Sequence, residues 1–220
     1  MWQDFFGNNI ALINLPHRKD RLAAASDVLN ELGITYEVWE ATQNLEKPCE
    51  GLVHSMKRYF KKVLSEGGER CFLFEDDILP LTDVSTWNIT MDCSTQQLPE
   101  DWDMIYAGCN PASGMKKFYS ENLIPLGFAY ATHAVGYSRR TMEFILTNPI
   151  HEPVDNYLVR EFHQRGAKIF VTYPMLMTQR PNFSDIGMAF TDWSKHLEDR
   201  YNSEVIRLIT DRNNAKRLGQ

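Results

Sequence analysis

Residues 71–77 read CFLFEDD, an apolar run followed at once by the three acids Glu75, Asp76 and Asp77. A short, continuously hydrophobic run rich in β-forming residues is typical of a strand buried on both faces of a sheet. In an open parallel sheet, ligands collect at the carboxyl ends of the strands, where this sequence places its acids. Adjacent carboxylates repel one another unless they are solvated or neutralised by a hard divalent cation. The stretch therefore indicates either a metal site or a solvated acidic turn.

The residues before this stretch predict two βα units. Residues 10–15 form an apolar strand, residues 19–32 place apolar side chains on one helical face, and Gly33 is a natural helix stop. A second strand over 34–39 and a second amphipathic helix over 52–64 follow, and Gly67-Gly68 ends the helix. The β-α-β-α-β order predicts an α/β fold with a mostly parallel central sheet flanked by helices.

The residues after it predict a continuation of the same domain. Strands are expected at 102–107, within 127–137 and at 169–171, with helices over 139–146 and 154–162. Residues 83–100 are expected to be a loop or short helix, residues 109–124 a surface excursion, and residues 201–208 a final helix before a basic tail. At 220 residues, the chain is expected to be a single domain.

Composition excludes several classes of protein. The formal net charge of −6 gives no overall basic field for nucleic acid. The four cysteines are widely spaced without a CxxC pair, which favours reduced thiols over a disulfide framework or a zinc knuckle. The N-terminus lacks the pattern of a signal peptide and no stretch is apolar enough to span a bilayer, so a soluble cytoplasmic protein is expected. Peripheral membrane association and oligomeric state stay open.

Two arginines follow the first predicted strand. Arg18 and Arg21 flank Lys19 and Asp20 in the strand-to-helix turn, at the sheet edge where the acids lie. The planar fork of arginine suits phosphate oxygens, and a diphosphate needs cations on several sides. The alternative is a solvated first helical turn.

Five short blocks in order resemble glycosyltransferase family 25, which includes bacterial lipooligosaccharide galactosyltransferases and collagen galactosyltransferases. The blocks are INLPHRKDRL at 13–22, Gly51 with Ser55, FLFEDDI at 72–78, ATHAVGYSR at 131–139, and PVD at 153–155 followed by Gln179 and SDI at 184–186. The resemblance spans roughly residues 8 to 187.

The resemblance implies a GT-A type, Rossmann-like fold. It also implies an enzyme that transfers a hexose, galactose or glucose, from a UDP-sugar with inversion and uses a manganese or magnesium ion. It also implies that Asp77 holds the metal, and that Asp76 and Glu75 support the site through contacts to the metal or the ribose. Arg18 and Arg21 would lie near the nucleotide. The half that binds nucleotide and metal would span about residues 8–110, and the half that binds acceptor about residues 111–190. Residues 191–220 would form a C-terminal helix and tail. The acceptor would be a glycan of a lipopolysaccharide or capsule, although a protein hydroxyl or a modified nucleobase stays open.

Asp155 is the preferred general base, because an inverting transfer needs a carboxylate to accept the proton of the acceptor hydroxyl. Its position after Pro153-Val154 equally suits stabilisation of a helix N-terminus, and Asp185 is the alternative base.

The other candidate site residues each have a structural alternative. The sequence departs from the family at Met56, where histidine is common after Ser55, so contacts there are in doubt. His133 is a candidate ligand or a core histidine, and Gly136 gives room for the sugar or relieves crowding in a strand. Ser184 would contact diphosphate or acceptor or form a capping turn, and the role of Gln179 is open.

Two other classes of function remain open from the sequence. The acids could serve two-metal hydrolysis in a phosphodiesterase or nuclease, or the protein could bind nucleotide sugars without turnover.

Overall fold

The structure is a computed structural model that describes residues 1–113, 115, 117–184 and 189–217. The helices are α1 (Trp2–Phe6), α2 (Lys19–Glu31), α3 (Pro48–Ser65), α4 (Val84–Gln97), α5 (Arg139–Thr147), α6 (Val154–Glu161) and α7 (Ser194–Arg217), with a short 3-10 turn at His163–Arg165. The strands are β1 (Ile10–Asn14), β2 (Glu37–Glu40), β3 (Arg70–Glu75), β4 (Ile78–Pro80), β5 (Met104–Tyr106), β6 (Asn110–Ser113), β7 (Leu123–Leu126), β8 (Phe128–Tyr130), β9 (Ala134–Ser138), β10 (Ile169–Thr172), β11 (Met177–Gln179), β12 (Asn182–Ser184) and β13 (Ala189–Thr191).

A seven-stranded sheet in the order β2-β1-β3-β9-β5-β10-β7 forms the centre of the domain. Five of its seven strands run in one direction, because only β9 and β7 pair antiparallel with their neighbours. The predicted α/β class with a mostly parallel central sheet is therefore confirmed.

The direction of β9 matters for the site. Since β9 runs antiparallel between β3 and β5, its first residues lie at the edge where β1, β3 and β5 end. The chain that leads into β9 thereby meets the acids that follow β3, and the backbone N–H of Glu75 donates to the carbonyl of His133 at 2.9 Å.

Helices cover both faces of the sheet and bury separate apolar clusters. Side chains of α3, α5, α6 and α7, such as Phe60, Met142 and Leu158, pack in one cluster. Side chains of α1, α2 and α4, such as Trp2 and Leu29, pack in the other. This three-layer arrangement leaves the strand ends accessible from one edge.

Four segments differ from expectation. Residues 84–97 form a helix of 14 residues where a loop or short helix was expected, and the Asp83 carboxylate caps it by accepting from the Thr86 N–H at 2.9 Å. The final helix begins at Ser194, well before residue 201, and the expected last strand at 169–171 is followed by three more, β11, β12 and β13. The expected surface excursion over 109–124 contains β6 and the first residues of β7, and β7 is an edge strand of the main sheet.

Within the described residues, no helix combines the length and the apolar character that crossing a bilayer requires.

Candidate functional site

A cavity of about 650 Å³ opens at the carboxyl edge of the sheet. This volume lies within the range of small-molecule pockets. Its walls come from the end of β1, the loop over residues 41–49, the acids after β3, the segment between β8 and β9, the start of α6, and the β11–β12 region with the start of α7. Of the candidate residues from the sequence, it brings together Arg21, Glu75, Asp76, Asp77, Asp155 and Gln179.

Asp76 is held by two partners. Its carboxylate accepts from the side-chain amide of Asn14 at 2.6 Å and forms an ion pair with Arg21. Burial raises the pKa of Asp76 to about 6, against the opposing effect of the Arg21 guanidinium. Asp76 is therefore already engaged by protein groups.

Asp77 retains coordination capacity. One oxygen, Oδ2, lies 3.3 Å from the Arg21 guanidinium and accepts from the Gln179 amide at 3.3 Å. The other oxygen, Oδ1, is buried and has no hydrogen-bond partner among the described residues. The backbone carbonyl of Asp77 accepts from the Arg180 N–H, which fixes the acidic turn against the β11 end.

Glu75 lies at the end of β3 and accepts from the Thr132 hydroxyl at 2.8 Å. Burial raises the pKa of Glu75 to about 8, and the negative charge of Asp77 adds to the increase. Burial and the charge of Asp77 thus favour the protonated form of Glu75 in the folded protein.

Asp77 fits a divalent cation that is shared with a ligand. Among the described residues, no three His, Cys, Asp or Glu side chains converge into a set that could hold a metal ion by themselves. Mg²⁺ and similar ions bind commonly through one or two carboxylates plus substrate phosphates and water. The unpartnered Oδ1 of Asp77 fits that mode, whereas Asp76 would first have to release Arg21 or Asn14.

Asp155 lies in the first turn of α6 and lines the cavity. Its Oδ1 accepts from the Asn156 N–H at 2.9 Å and its Oδ2 from the Ala131 N–H at 3.2 Å. Ala131 has φ +68°, a left-handed conformation that is uncommon for a residue other than glycine. The carboxylate thus stabilises both a helix start and an unusual turn while it borders the cavity.

The two arginines of the β1–α2 turn have different positions. Arg21 is buried between Asp76 and Asp77. Arg18 is turned toward the β12 segment, where its guanidinium donates to Asn182 Oδ1 at 3.2 Å and to the Phe183 carbonyl at 3.4 Å. Because Asn182 and Phe183 line the cavity, Arg18 influences its shape through this segment.

Ser55, His133 and Gly136 occupy buried positions behind the cavity lining. Ser55 donates to the Gly51 carbonyl at 2.7 Å and accepts from the Thr42 N–H at 2.8 Å, which anchors the 41–49 loop. His133 is fully buried, and burial lowers its pKa, which favours the neutral ring. A Cβ at Gly136 would lie 2.7 Å from both Ile105 and Phe6, so this glycine is needed for core packing.

The remaining two candidates follow β11. Ser184 ends β12 and pairs through its backbone with Ala189, while Asp185 lies outside the described residues.

Several lining residues were missed by the sequence reading. Arg180 adds a cation beside Asp77, and His17 lies at the end of β1. Exposed aromatic side chains at Phe183 and Trp193 border the opening, and amides at Gln43 and Asn44 line the loop wall. The available signal was weak: Arg180 follows Gln179 directly, and polar residues cluster over 42–44.

No protein-family model matches the chain, and no curated protein matches it. Solved structures do match. A glycosyltransferase involved in the glycosylation of the major capsid of PBCV-1 is 11% identical with a TM-score of 0.52, and the match covers 86% of this chain and 98% of that one. A Drosophila β-1,4-galactosyltransferase 7 variant in complex with manganese, UDP-Gal and xylobiose is 11% identical over 77% of this chain and 69% of that one, with a TM-score of 0.41. An apo UDP-glucose pyrophosphorylase is 10% identical over 90% of this chain and 82% of that one, with a TM-score of 0.42.

The match to the capsid glycosyltransferase establishes the fold. The chain has a GT-A-like α/β fold, as the sequence blocks implied. Because a fold can host several chemistries, function must be argued from the cavity itself.

Proposed function

We propose that this protein is a glycosyltransferase that moves a hexose, galactose or glucose, from a UDP-sugar to a hydroxyl acceptor with inversion. One observation carries the proposal: on a GT-A-like fold, a single cavity is lined by Asp77, Arg180 and Asp155. These supply a metal or diphosphate contact, a cation and a carboxylate base.

The two halves of the chain contribute different parts of this cavity. The acids after β3 and Arg21 come from the proposed nucleotide and metal half, about 8–110. Asp155 and Thr132 come from the proposed acceptor half, about 111–190. Gln179 and Arg180 also belong to the second half but lie against Asp77, so the donor would touch both halves.

In the proposed reaction, the acceptor oxygen forms a bond to the anomeric carbon while the bond from that carbon to the diphosphate oxygen breaks. The acceptor proton passes to Asp155, and UDP leaves with the bonding electrons. Asp155 suits this role because Ala131 and Asn156 hold its carboxylate in place through backbone N–H groups.

Charge on the leaving diphosphate would be offset by protein cations. Arg180 forms no ion pair with any described side chain, so its guanidinium is available to phosphate oxygens. A manganese or magnesium ion on Asp77 would supply further neutralisation of the diphosphate.

The arrangement of the acids argues against the hydrolase alternative. A two-metal hydrolase needs several carboxylates free to bridge two cations. Here Asp76 is engaged by Arg21 and Asn14, and the described residues contain no three-ligand metal set.

A donor screen tests the proposal. UDP-galactose, UDP-glucose and control nucleotide sugars would be incubated with the protein and a glycan acceptor from lipopolysaccharide or capsule, with and without manganese. Free UDP and glycosylated product would be detected by mass spectrometry. Donor binding without turnover would identify a silent nucleotide-sugar-binding protein, and cleavage of a phosphodiester instead would identify a hydrolase.

A further inference from the structure

Three exposed aromatic side chains lie close together in sequence beside the cavity. Among the described residues, Phe183, Phe190 and Trp193 are 43%, 70% and 50% exposed and fall within eleven positions. Most other large aromatic side chains of the chain pack into the two apolar clusters. Contiguous exposed apolar side chains mark interaction or ligand-binding surfaces in many proteins.

Backbone and side-chain contacts fix the position of this aromatic group. Phe183 and Phe190 are directly paired across the β12–β13 ribbon and therefore share one face of it. Arg18 fastens the β12 side to the β1–α2 turn. On the other side, the Asp192 carboxylate accepts from the Ser194 N–H at 3.2 Å and the Trp193 carbonyl accepts from the Leu197 N–H at 2.9 Å. Trp193 thus lies at an anchored helix start, half-exposed and with its ring in an edge contact with His196 at 5.8 Å between centroids.

The surface is continuous with the proposed reaction site. Phe183 and Trp193 line the same cavity as Asp155, together with the amides of Asn110, Gln179 and Asn182. A pyranose ring presents an apolar C–H face and a rim of hydroxyls. An aromatic face beside amides and a carboxylate matches both parts of such a ring.

We propose that Trp193 and Phe183 form the acceptor subsite, in which a pyranose ring of the acceptor stacks on Trp193 and presents a hydroxyl to Asp155. This inference rests on the proposed glycosyltransferase function and narrows its acceptor to a glycan. The local charge favours a sugar over a lipid surface. Residues 192–200 contain three acids and two Lys or Arg residues, so they do not form the basic rim that attracts anionic membranes.

A direct binding experiment uses the fluorescence of Trp193. All five tryptophans lie in the described residues, and Trp193 is the exposed one, since Trp2, Trp87 and Trp102 are buried and Trp39 is half-buried. Methyl β-D-galactopyranoside or methyl β-D-glucopyranoside added to UDP-loaded protein is expected to change the emission, and Trp193→Phe is expected to remove that change. Glycerol, which has hydroxyls but no ring, is expected to leave it unaltered. Absence of any glycoside-dependent signal in the unmodified protein overturns the proposal.

Kinetics give the second measurement. Trp193→Ala is expected to raise the acceptor KM about tenfold, as expected for loss of one aromatic contact, and to leave the affinity for UDP unchanged. Trp193→Phe is expected to recover most of the loss. Tyr119→Ala is the matched control, because Tyr119 is 52% exposed and packs against Phe170 at another site.

The outcomes separate this inference from the proposed function. If the protein binds UDP and transfers sugar but Trp193→Ala leaves the acceptor KM unaltered, the subsite is wrong and the transferase stands. If the unmodified protein binds no UDP, the proposed function itself fails. Reduced co-sedimentation of Trp193→Ala with phosphatidylglycerol vesicles, with unchanged glycoside binding, would overturn the sugar subsite in favour of a membrane contact.

Discussion

The Asp155 carboxylate accepts a hydrogen bond of 3.2 Å from the backbone N–H of Ala131, a residue with φ +68°. This contact joins the start of α6 to the segment that enters β9. Thr132, the next residue, donates to Glu75 at 2.8 Å. The proposed base and the acid cluster are therefore connected through two consecutive residues, and each is oriented by the same turn.

Asp155→Asn tests the base separately from this structural role. The single amide oxygen can still accept one of the two backbone N–H groups, of Ala131 or Asn156, but the side chain can no longer take a proton. We expect transfer to fall by roughly two to four orders of magnitude with unchanged affinity for UDP, measured as initial rate and by calorimetry. Ala131→Gly is the control, since glycine adopts the same φ and leaves the carboxylate in place. Near-normal turnover of folded Asp155→Asn would move the base elsewhere, with Asp185 tested next.

Arg21 is expected to be a stability residue as well as a cavity residue. Arg21→Ala leaves the buried Asp76 carboxylate without its cation, and breaking such a pair costs about 3 to 5 kcal/mol. Adding Asp76→Asn should recover much of this loss because the stranded charge is removed. Urea unfolding of the single and double variants measures the coupling. Equal losses in the single and double variants would show that the ion pair is unimportant.

The elements around the acids could be predicted from sequence because their patterns are local. The apolar run over 71–74 predicted β3, and helical spacing predicted α2 and α3 with the correct stop glycines. The direction of β9 was not readable, because a continuously buried strand such as Ala134–Ser138 carries the same pattern in either direction. The start of α7 was missed because many of its first residues are polar and exposed.

The partners within the site depend on long-range contacts that no local pattern contains. Gln179 meets Asp77 across 102 positions of sequence, and Arg18 meets Asn182 across 164. The engagement of Asp76 by Arg21 likewise appears only after β1 and β3 pair. Sequence could therefore name the acids but could not show that, of the three acids Glu75, Asp76 and Asp77, it is Asp77 that keeps a buried oxygen without a hydrogen-bond partner among the described residues.

Because of Glu75, the protein without bound UDP-sugar should become less stable as pH rises. Its pKa is raised to about 8 in the folded state from an ordinary value of 4.5, so the folded protein binds more protons than the unfolded chain between these values. The free energy of unfolding attributable to Glu75 therefore falls as pH increases from about 4.5 to about 8, and levels off above that range. Glu75→Gln, which stays neutral, should flatten this dependence in urea unfolding measured across pH. An unchanged slope would contradict the raised pKa.

Asp77→Asn is expected to abolish the contribution of manganese to UDP binding. The amide preserves the size of the side chain and an oxygen for Arg21 or Gln179, but removes the charge that a hard cation requires. Calorimetry of UDP with and without manganese measures the effect, with melting temperature as the folding control. A folded variant that keeps manganese-dependent UDP affinity would rule out Asp77 as the metal ligand.

Arg180 is expected to bind the diphosphate through its side chain alone. The Arg180 N–H already holds the Asp77 carbonyl, and this backbone contact survives replacement of the side chain. Charge-assisted hydrogen bonds contribute about 1.5 to 3 kcal/mol, so Arg180→Ala should weaken UDP binding roughly tenfold to a hundredfold while the melting temperature changes little. Arg180→Lys should recover part of the affinity, because lysine restores the charge without the planar fork. The affinity of Arg180→Ala for UDP should also depend less on salt, since an electrostatic contact has been lost.

Arg165→Ala is the matched control: it removes the same charge from a side chain that is 70% exposed and pairs with Glu161, which does not line the cavity. If Arg180→Ala and Arg165→Ala bind UDP equally well, the diphosphate is neutralised by other groups, and Arg21 becomes the next cation to test.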